Sequence, residues 1–458
     1  MKGLFGMNII IVGCGKVGQK LTEQLCLEEN QNITVIDLKN NIVQDLINKY
    51  DITGVSGNGA NAQILTEANI KDCDLLIAVT GSDELNLLTC LIAKKMGNCQ
   101  TIARVGNPEY KEEMQLIYKD LGLALVINPE QTAADEIARV LKFPSAIKID
   151  QFAKGRVEIL KFKIPEDSIL DNMSVYNLPS KLKSSLLICG VERDDKAFIP
   201  RGNFVLKSGD IISILAHPKE TTDLFKAIGL KTSQVKNTII VGGGDTGYYL
   251  AKNLMKSGIR VKIIEQNENT CDKLCKLLPK ATIIHADGTD TSVLMEEGLE
   301  ITESFVALTN IDEENVLLSL FAKSQSNAKI VTKINRIEYD RVITGLDLDS
   351  IVYPKNITAE NIVRFVRSKI NSIGSNIETM HKLLDGKAEA MEFYITNDSP
   401  VIETSLENLK LKDNVLVACI NRNGKIIIPR GKDEILAGDT VIIITTETGM
   451  NDISDILQ

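Results

Sequence analysis

The 458-residue chain lacks an excess of basic residues: 52 Lys and Arg against 61 Asp and Glu leave a net charge of −9. Nucleic-acid binders carry a basic face or stripe, so no nucleic-acid partner is expected. No apolar run reaches the ~20 residues that cross a bilayer; the strand-like runs are short and broken by glycine or charge. The first residues, MKGLFGMN, hold a single lysine and no adequate apolar stretch, which argues against a secretory signal.

Nine cysteines show no metal spacing such as CxxC, and no metal site is expected. Cys14, Cys26, Cys73, Cys90 and Cys419 lie in apolar patterns and read as small buried hydrophobes. Cys271 and Cys275 stand one helical turn apart, a spacing open to a ligand or redox pair. A reducing, cytosolic compartment fits this usage. Histidine is scarce: His217, His285 and His381 are the three present. A hydride-transfer enzyme needs a positioned acid or base, and no histidine recurs where a second copy of such a site would require it. No catalytic residue is assigned, although Lys or Tyr could serve as an acid.

What the chain does have is repetition. IIIVGCGKVG (Ile9–Gly18) returns as TIIVGGGDTG (Thr238–Gly247), so that the first glycines, Gly13 and Gly242, stand 229 residues apart. In the same register LLIAVTGSDELN (75–86) answers SFVALTNIDEEN (304–315), and IPRG (199–202) answers IPRG (428–431). Three matches at one offset mean a duplicated unit.

Each copy has an α/β half and a β-rich half. In the first, apolar runs at 8–12, 33–36, 52–55, 75–79 and 101–105 alternate with helical patterns such as 83–97 and 129–141. Short apolar strands alternating with helices predict a doubly wound, Rossmann-like parallel sheet. Strand patterns at 156–164, 185–191 and 211–215, separated by Gly- and Asp-bearing turns, predict a small α+β module. The expected domains are 1–143, 150–230, 236–366 and 388–458, with 367–390 a looser helical connector.

Gly13, Gly15 and Gly18 form GxGxxG directly between an apolar strand and an amphipathic helix. The first glycine permits the tight turn, the second lets backbone approach a pyrophosphate, and the third lets helix pack on strand. Cys14, Lys16 and Val17 complete the loop, whose free N–H groups suit an anion. Asp37 ends the next strand, ITVID, where a carboxylate accepts from both ribose hydroxyls and repels a 2′-phosphate. NAD(H) is therefore expected over NADP. The second copy repeats the pattern with Gly242, Gly243, Gly244, Asp245, Thr246, Gly247 and Glu265. Where the remaining strands end, Asn58-Gly59, Thr80-Gly81 and Arg104 correspond to Asp287-Gly288, Thr309-Asn310 and Lys333. A cation after the fifth strand could neutralise phosphate. Lys16 against Asp245 makes the copies unequal: the first suits ATP or ADP as well as NAD(H), whereas an aspartate repels a triphosphate.

Taken together, IIIVGCGKVG, ITVID, VSGNGANAQIL, LLIAVTGSDELN and IARV, each with its partner, resemble the nucleotide-binding half of RCK (KTN) domains. The β-rich halves, with IPRG followed by SGD (208–210) or AGD (437–439), resemble the RCK C-terminal module. The tandem arrangement is similar to the cytosolic regulatory subunits of bacterial Trk potassium-uptake systems, the TrkA family. The resemblance implies a peripheral protein on the inner membrane face. It also implies a homo-oligomer, a dimer or tetramer forming a gating ring, acting on a TrkH/TrkG-like potassium-translocating subunit. The nucleotide contacts it implies are the residues just named in each copy. Two alternatives stay open: an NAD-dependent oxidoreductase on a duplicated scaffold, and the gating ring of another potassium channel or transporter.

Overall fold

The computed structural model describes residues 6–27, 31–110, 121–152, 156–182, 186–194, 196–216, 223, 225–230, 233–335, 342–343, 345–346, 348–371, 377–384, 387–447, 450 and 452–458. The chain divides by kind of structure, not by copy. One compact unit is Met1–Ala138 with Lys236–Val363; the other is Arg139–Val235 with Arg364–Gln458.

In the α/β unit the first copy runs β1 (Asn8–Val12), α1 (Lys16–Leu25), β2 (Asn32–Asp37), α2 (Asn40–Lys49), β3 (Thr53–Ser56), α3 (Ala62–Glu67), β4 (Leu75–Ala78), α4 (Asp83–Gly97), β5 (Gln100–Arg104), β6 (Leu125–Ile127) and α5 (Pro129–Lys142). Its strands pair in the order β3-β2-β1-β4-β5-β6, parallel throughout. That order reverses between β1 and β4, the switch point where open α/β sheets bind ligands beyond the strands' carboxyl ends. Ile9 to Val12 are all buried, as a strand covered by helices on both faces must be. The sixth strand, only three residues long, is too short for periodicity to show and was not among the predicted runs.

Helix α4 starts at Ser82, whose side chain accepts from the Leu85 N–H, with Asp83 and Glu84 in the first turn. It ends with Lys94 and Lys95 before Asn98 in the left-handed conformation. Acids at the start and bases at the end oppose the helix dipole favourably.

The first β-rich module follows with β7 (Lys148–Phe152), β8 (Val157–Lys163), α6 (Leu178–Leu182), β9 (Leu187–Arg193), β10 (Lys196–Phe198) and β11 (Ile211–Ala216). The second copy then repeats the plan: β12 (Asn237–Val241), α7 (Asp245–Lys256), β13 (Arg260–Glu265), α8 (Glu268–Leu277), β14 (Thr282–His285), α9 (Thr291–Glu296), β15 (Ser304–Ala307), α10 (Asp312–Gln325), β16 (Lys329–Lys333), β17 (Ser350–Val352) and α11 (Pro354–Asn371). Its parallel sheet has the order β14-β13-β12-β15-β16-β17, the first sheet renumbered. The last module is β18 (Ile377–Leu383), β19 (Ala388–Tyr394), β20 (Val415–Arg422), β21 (Lys425–Ile427) and β22 (Thr440–Thr445).

The looser helical connector expected at 367–390 is corrected. Helix α11 continues to Asn371, which gives the stretch a helical start, but 377–383 form β18, which pairs antiparallel with β19, so that part belongs to the β-rich sheet. Its polar composition concealed an edge strand.

In the β-rich unit the two sheets have matching orders, β7-β8-β11-β9-β10 and β18-β19-β22-β20-β21. Phe152, Val157, Ile159 and Leu215 share one core with Ala388, Ala390, Ile442 and Ile444. Each sheet also has its own core on its other face, around Phe162 and Phe225 in one and Phe393 and Ile443 in the other. Two covered faces explain why β8 and β19 are buried almost end to end. The repeated SGD and AGD turns are structural: Asp210 accepts from Arg193 Nε (2.7 Å) and Nη2 (2.6 Å), and Asp439 accepts from Arg422 Nε (2.9 Å) and Nη2 (2.8 Å). Both aspartates are buried and also accept a backbone N–H, from Lys207 and Leu436.

Candidate functional site

In both copies the glycine-rich turn joins the central strand to a helix that has no side-chain cap, at Gly15 before α1 and Gly244 before α7. The first-turn N–H groups of an α-helix have no partner inside it, so an uncapped entrance is suited to an anion. Gly13 (φ +95) and Gly242 (φ +108) take the positive φ that the sharp turn requires. A Cβ on Gly18 would lie 2.0 Å from the Gly13 carbonyl oxygen, and one on Gly247 2.4 Å from that of Gly242. A Cβ on Gly15 or Gly244 would meet nothing within 4 Å. The outer glycines are thus required by the protein's own packing, whereas the middle one faces the open space a pyrophosphate would occupy.

The acidic residues at the second strand ends hold the turns from the other side. Asp37 accepts from the Cys14 N–H (2.7 Å) and the Lys39 N–H (2.9 Å). Glu265 accepts from the Gly243 N–H (2.7 Å) and the Asn267 N–H (2.8 Å). Each carboxylate oxygen keeps a further lone pair for a ribose hydroxyl. Burial, then the nearby Asp37 charge, pushes the Cys14 thiol up to about 12, so it stays protonated.

Every second-copy candidate, from Gly242 to Gly247 through Glu265, Asp287, Gly288, Thr309, Asn310 and Lys333, lines one cavity of about 760 Å³. That volume is within the range of small-molecule and cofactor sites. In the first copy Gly59 lies over Val12, as Gly288 lies over Val241, so close that a Cβ would overlap the valine. Asn58 and Asp287 each accept a backbone N–H two residues on, from Ala60 and Thr289, forming the turn after the third strand.

Two candidates are held by partners within the protein. Arg104 donates from Nη2 to Glu130 Oε1 (2.6 Å) and lies 3.9 Å from Asp83. Lys333 is buried and donates to the Leu308 carbonyl at 2.9 Å. Desolvation lowers the Lys333 pKa against the opposing pull of Asp312 and Glu130, with Lys16 adding slightly to the lowering. Both cations thus have protein partners at the strand ends, and Lys333 also lines the cavity. Asp245 is solvent-accessible, yet the crevice walls desolvate it and, with Glu130 and Asp83, raise its pKa.

The sequence reading missed the residues that brace the rim. Buried Asn86 accepts from the Thr80 N–H (2.8 Å) and donates to the carbonyls of Arg104 (3.0 Å) and Thr80 (3.3 Å). Asn315 makes the same three contacts with Thr309 and Lys333. Asp83 accepts from the Gly106 and Asn107 N–H groups, as Asp312 accepts from Asn335. Their recurrence in DELN and DEEN was the available signal. Glu130 and Pro108 also line the second-copy cavity although they belong to the first copy. The copies are tied there by Tyr249, whose hydroxyl donates to the Gly106 carbonyl (3.2 Å) and accepts from Asn128 (2.9 Å), and by an Asn253–Asp135 hydrogen bond.

Cys271 is buried and donates to the Glu265 carbonyl, while Cys275 is exposed, so the two do not form a pair facing one space. Cys26 is half-buried, less enclosed than its pattern predicted. His285 lies at a strand end against the Gln266 carbonyl; His217 and the His381 side chain lie outside the described residues. Among the described residues no helix is long and apolar enough to cross a membrane, and no cluster of metal-ligating side chains forms.

The chain matches the TrkA-N domain over residues 9–129 and 238–354, and the TrkA-C domain over 159–229 and 390–458. It is 31% identical over 455 residues to Trk system potassium uptake protein TrkA homolog 1 of Methanosarcina mazei, covering 98% of this chain and 99% of that one. It is 29% identical to the Trk system potassium uptake protein TrkA of Haemophilus influenzae, covering 96% of each. Among solved structures it resembles the GsuK channel bound to NAD, with a TM-score of 0.63 at 17% identity over 98% of this chain and 78% of that one. It likewise resembles the GsuK RCK domain, with a TM-score of 0.63 and 94% of that chain covered. A GsuK structure bound to ADP aligns with a TM-score of 0.51 at 14% identity, over 81% of this chain and 71% of that one. At these identities the structural likeness shows the fold.

Proposed function

The chain belongs to the TrkA family, and from that premise we propose that it is the nucleotide-sensing regulatory subunit of a potassium-uptake system. In this reading it binds NAD(H) and adenine nucleotides in its two crevices, works at the inner membrane face, and gates a TrkH/TrkG-like potassium-translocating subunit without catalysing a reaction.

The observation that carries the reading is the pair of glycine turns. In each, packing demands the outer glycines while the middle one faces open space beside a carboxylate at the second strand end. That is the arrangement a dinucleotide needs for its pyrophosphate and its adenosine ribose. The GsuK structures bound to NAD and to ADP share this fold and support that ligand class. Lys16 gives the first crevice a cation for further phosphates, and Asp245 gives the second a like charge, so the first takes ATP or ADP as well as NAD(H) and the second disfavours a triphosphate.

Homo-oligomerisation into a ring draws support from α4 and α10. Both are apolar on more than the core-facing side, and the repeat-equivalent Leu88 (48% exposed) and Leu317 (67% exposed) point outward. A helix apolar all round is normally covered on its second face. Gating is a population shift: nucleotide favours one arrangement of the paired α/β domains over another. Moving the balance from 1:99 to 99:1 takes about 5.5 kcal/mol of differential binding, which several sites in a ring supply more readily than one.

The test is potassium uptake by cells carrying the full chain with Asp37→Ala, Glu265→Ala, or both. Loss of the nucleotide response with assembly and membrane-partner binding intact supports the reading. Uptake control that survives the double substitution overturns it.

A further inference from the structure

The second crevice is not built from its own copy alone. Glu130, at the start of α5 in the first copy, lines it together with Pro108. The order of the fold then locates Glu130 along a bound nucleotide. Glu265 marks the adenosine ribose and the Gly242–Gly247 turn marks the first phosphates. Thr309, Asn310 and Lys333, at the ends of β15 and β16, mark the stretch that lies beyond. Glu130 shares the cavity lining with Asp245 of the phosphate turn and Lys333 of that far stretch, and its charge acts on both.

The charges there are unequal. Glu130 Oε1 is paired with Arg104 at 2.6 Å, whereas Oε2 is buried with no hydrogen-bond partner. Asp245 and Glu314 add two further acids to the lining. Lys333 is tied to the Leu308 carbonyl, and Lys273, on α8, is the remaining lining cation. Between the turn and the β16 end the lining carries the acids Asp245, Glu130 and Glu314; Lys333 there is engaged by a carbonyl, Lys273 and Arg104 offset part of the charge at Asp245, and Lys16 acts on Lys333.

We propose that Glu130, reaching across from the first α/β domain, is a specificity residue of the second crevice, and with Asp245 restricts it to nucleotides with no third phosphate: mononucleotides, or dinucleotides whose charge ends at one pyrophosphate. The inference rests on the nucleotide-sensing reading above and adds the residue that sorts its ligands. The duplication supplies an internal contrast. NPEQTAADEIARVL and YPKNITAENIVRFV align, so the position of Glu130 holds Lys355 in the second copy. The two acids of the second-crevice lining, Asp245 and Glu130, thus both correspond to lysines in the repeat, Lys16 and Lys355.

The experiment uses the full chain with Asp37→Ala, which silences the first crevice, and titrates AMP, ATP and NAD⁺ calorimetrically with and without Glu130→Gln. The expected result is AMP and NAD⁺ binding unaffected by the substitution, and ATP binding tightened by about tenfold, the equivalent of about 1.4 kcal/mol. Glu130→Lys tightens ATP further, and Arg104→Gln, which leaves the Glu130 charge uncompensated, weakens it. ATP binding as tight as AMP in the Asp37→Ala chain overturns the inference, as does Glu130→Gln shifting all three ligands equally. Should none of the three bind the Asp37→Ala chain while the parent binds them, it is the reading of the second crevice as a nucleotide site that falls. A thermal melt of each ligand-free variant shows whether a lost signal is a lost fold.

Discussion

The three glycines of the first turn should separate folding from ligand binding when each is changed to alanine. Gly13 has φ +95, and a Cβ there would lie 2.7 Å from the Thr80 nitrogen and 2.8 Å from its Cα, both backbone atoms of the next strand end. Placing an L-residue at positive φ costs about 1–2 kcal/mol, and overpacking against atoms that cannot turn aside adds about 1–3 kcal/mol. A Cβ on Gly18 would stand 2.0 Å from the Gly13 carbonyl oxygen, which forces helix and strand apart. Gly13→Ala and Gly18→Ala should each destabilise the ligand-free α/β unit by about 2–5 kcal/mol. At roughly 2–4 °C per kcal/mol for domains of this size, its melting transition falls by about 10 °C. Gly15 is different: its backbone is extended (φ −68, ψ −165) and its Cβ would meet open space. Gly15→Ala should melt with the parent and yet lose at least about tenfold in nucleotide affinity at the first crevice, because the methyl fills the approach of the pyrophosphate. Differential scanning calorimetry without ligand and nucleotide titration of the same samples give both readings. A Gly15→Ala protein that melts well below the parent, or one that binds nucleotide unchanged, would refute the division of labour among the glycines.

Other substitutions test the brace, the turns and the charge at the second crevice. Asn86→Ala leaves the part-buried Thr80 N–H and Arg104 carbonyl without their partner, at about 1 kcal/mol per group, the low end for a lost hydrogen bond; faster hydrogen exchange at Thr80 and weaker binding at the first crevice should result, with the second unchanged. Asp210→Ala strips Arg193 of two hydrogen bonds and Lys207 of one. A loss of about 2–3 kcal/mol, below the usual range for a buried pair because the arginine is partly hydrated, should appear as a lower urea midpoint for the β-rich unit. The Asp245 pKa is raised in the folded chain, so the native state holds that proton more tightly than the unfolded one and loses stability as pH climbs above the ordinary 3.8. Asp245→Asn should therefore stabilise the ligand-free chain at pH 7, and the gain should shrink as pH is lowered toward that value; a gain that grows on acidification would contradict the sign.

Much of this molecule is local, and local order was legible. Four-residue apolar strands, a glycine stop after 83–97 and acids before bases along a helix all report backbone choices made within a few residues. The parallel sheet, the alternation of α/β and β-rich halves and every member of the two glycine turns were therefore readable from the chain. Duplication strengthened the reading, because a position held in both copies is less open to chance than one seen once. Where local signals fade, so did the reading. A three-residue strand such as Leu125–Ile127 has no period to detect, and the polar segment at 377–383 becomes a strand only because Ala388–Tyr394 lies beside it.

Residues alone therefore determined what each half is: two Rossmann-like α/β domains with glycine turns and an acid at each second strand end, and two small β-rich modules. Which halves associate was decided by tertiary packing, since like joins like: the two α/β domains form one unit and the two β-rich modules the other. The reason is that each β-rich sheet has a second apolar face, and the core from Phe152 to Ile444 closes only when two such faces meet. The same pairing brings Glu130 of one copy, held within that copy by Arg104, into the crevice of the other. No spacing in the chain announces that contact, because it joins residues more than a hundred positions apart and the counterpart of Glu130 in the second copy, Lys355, carries the opposite charge.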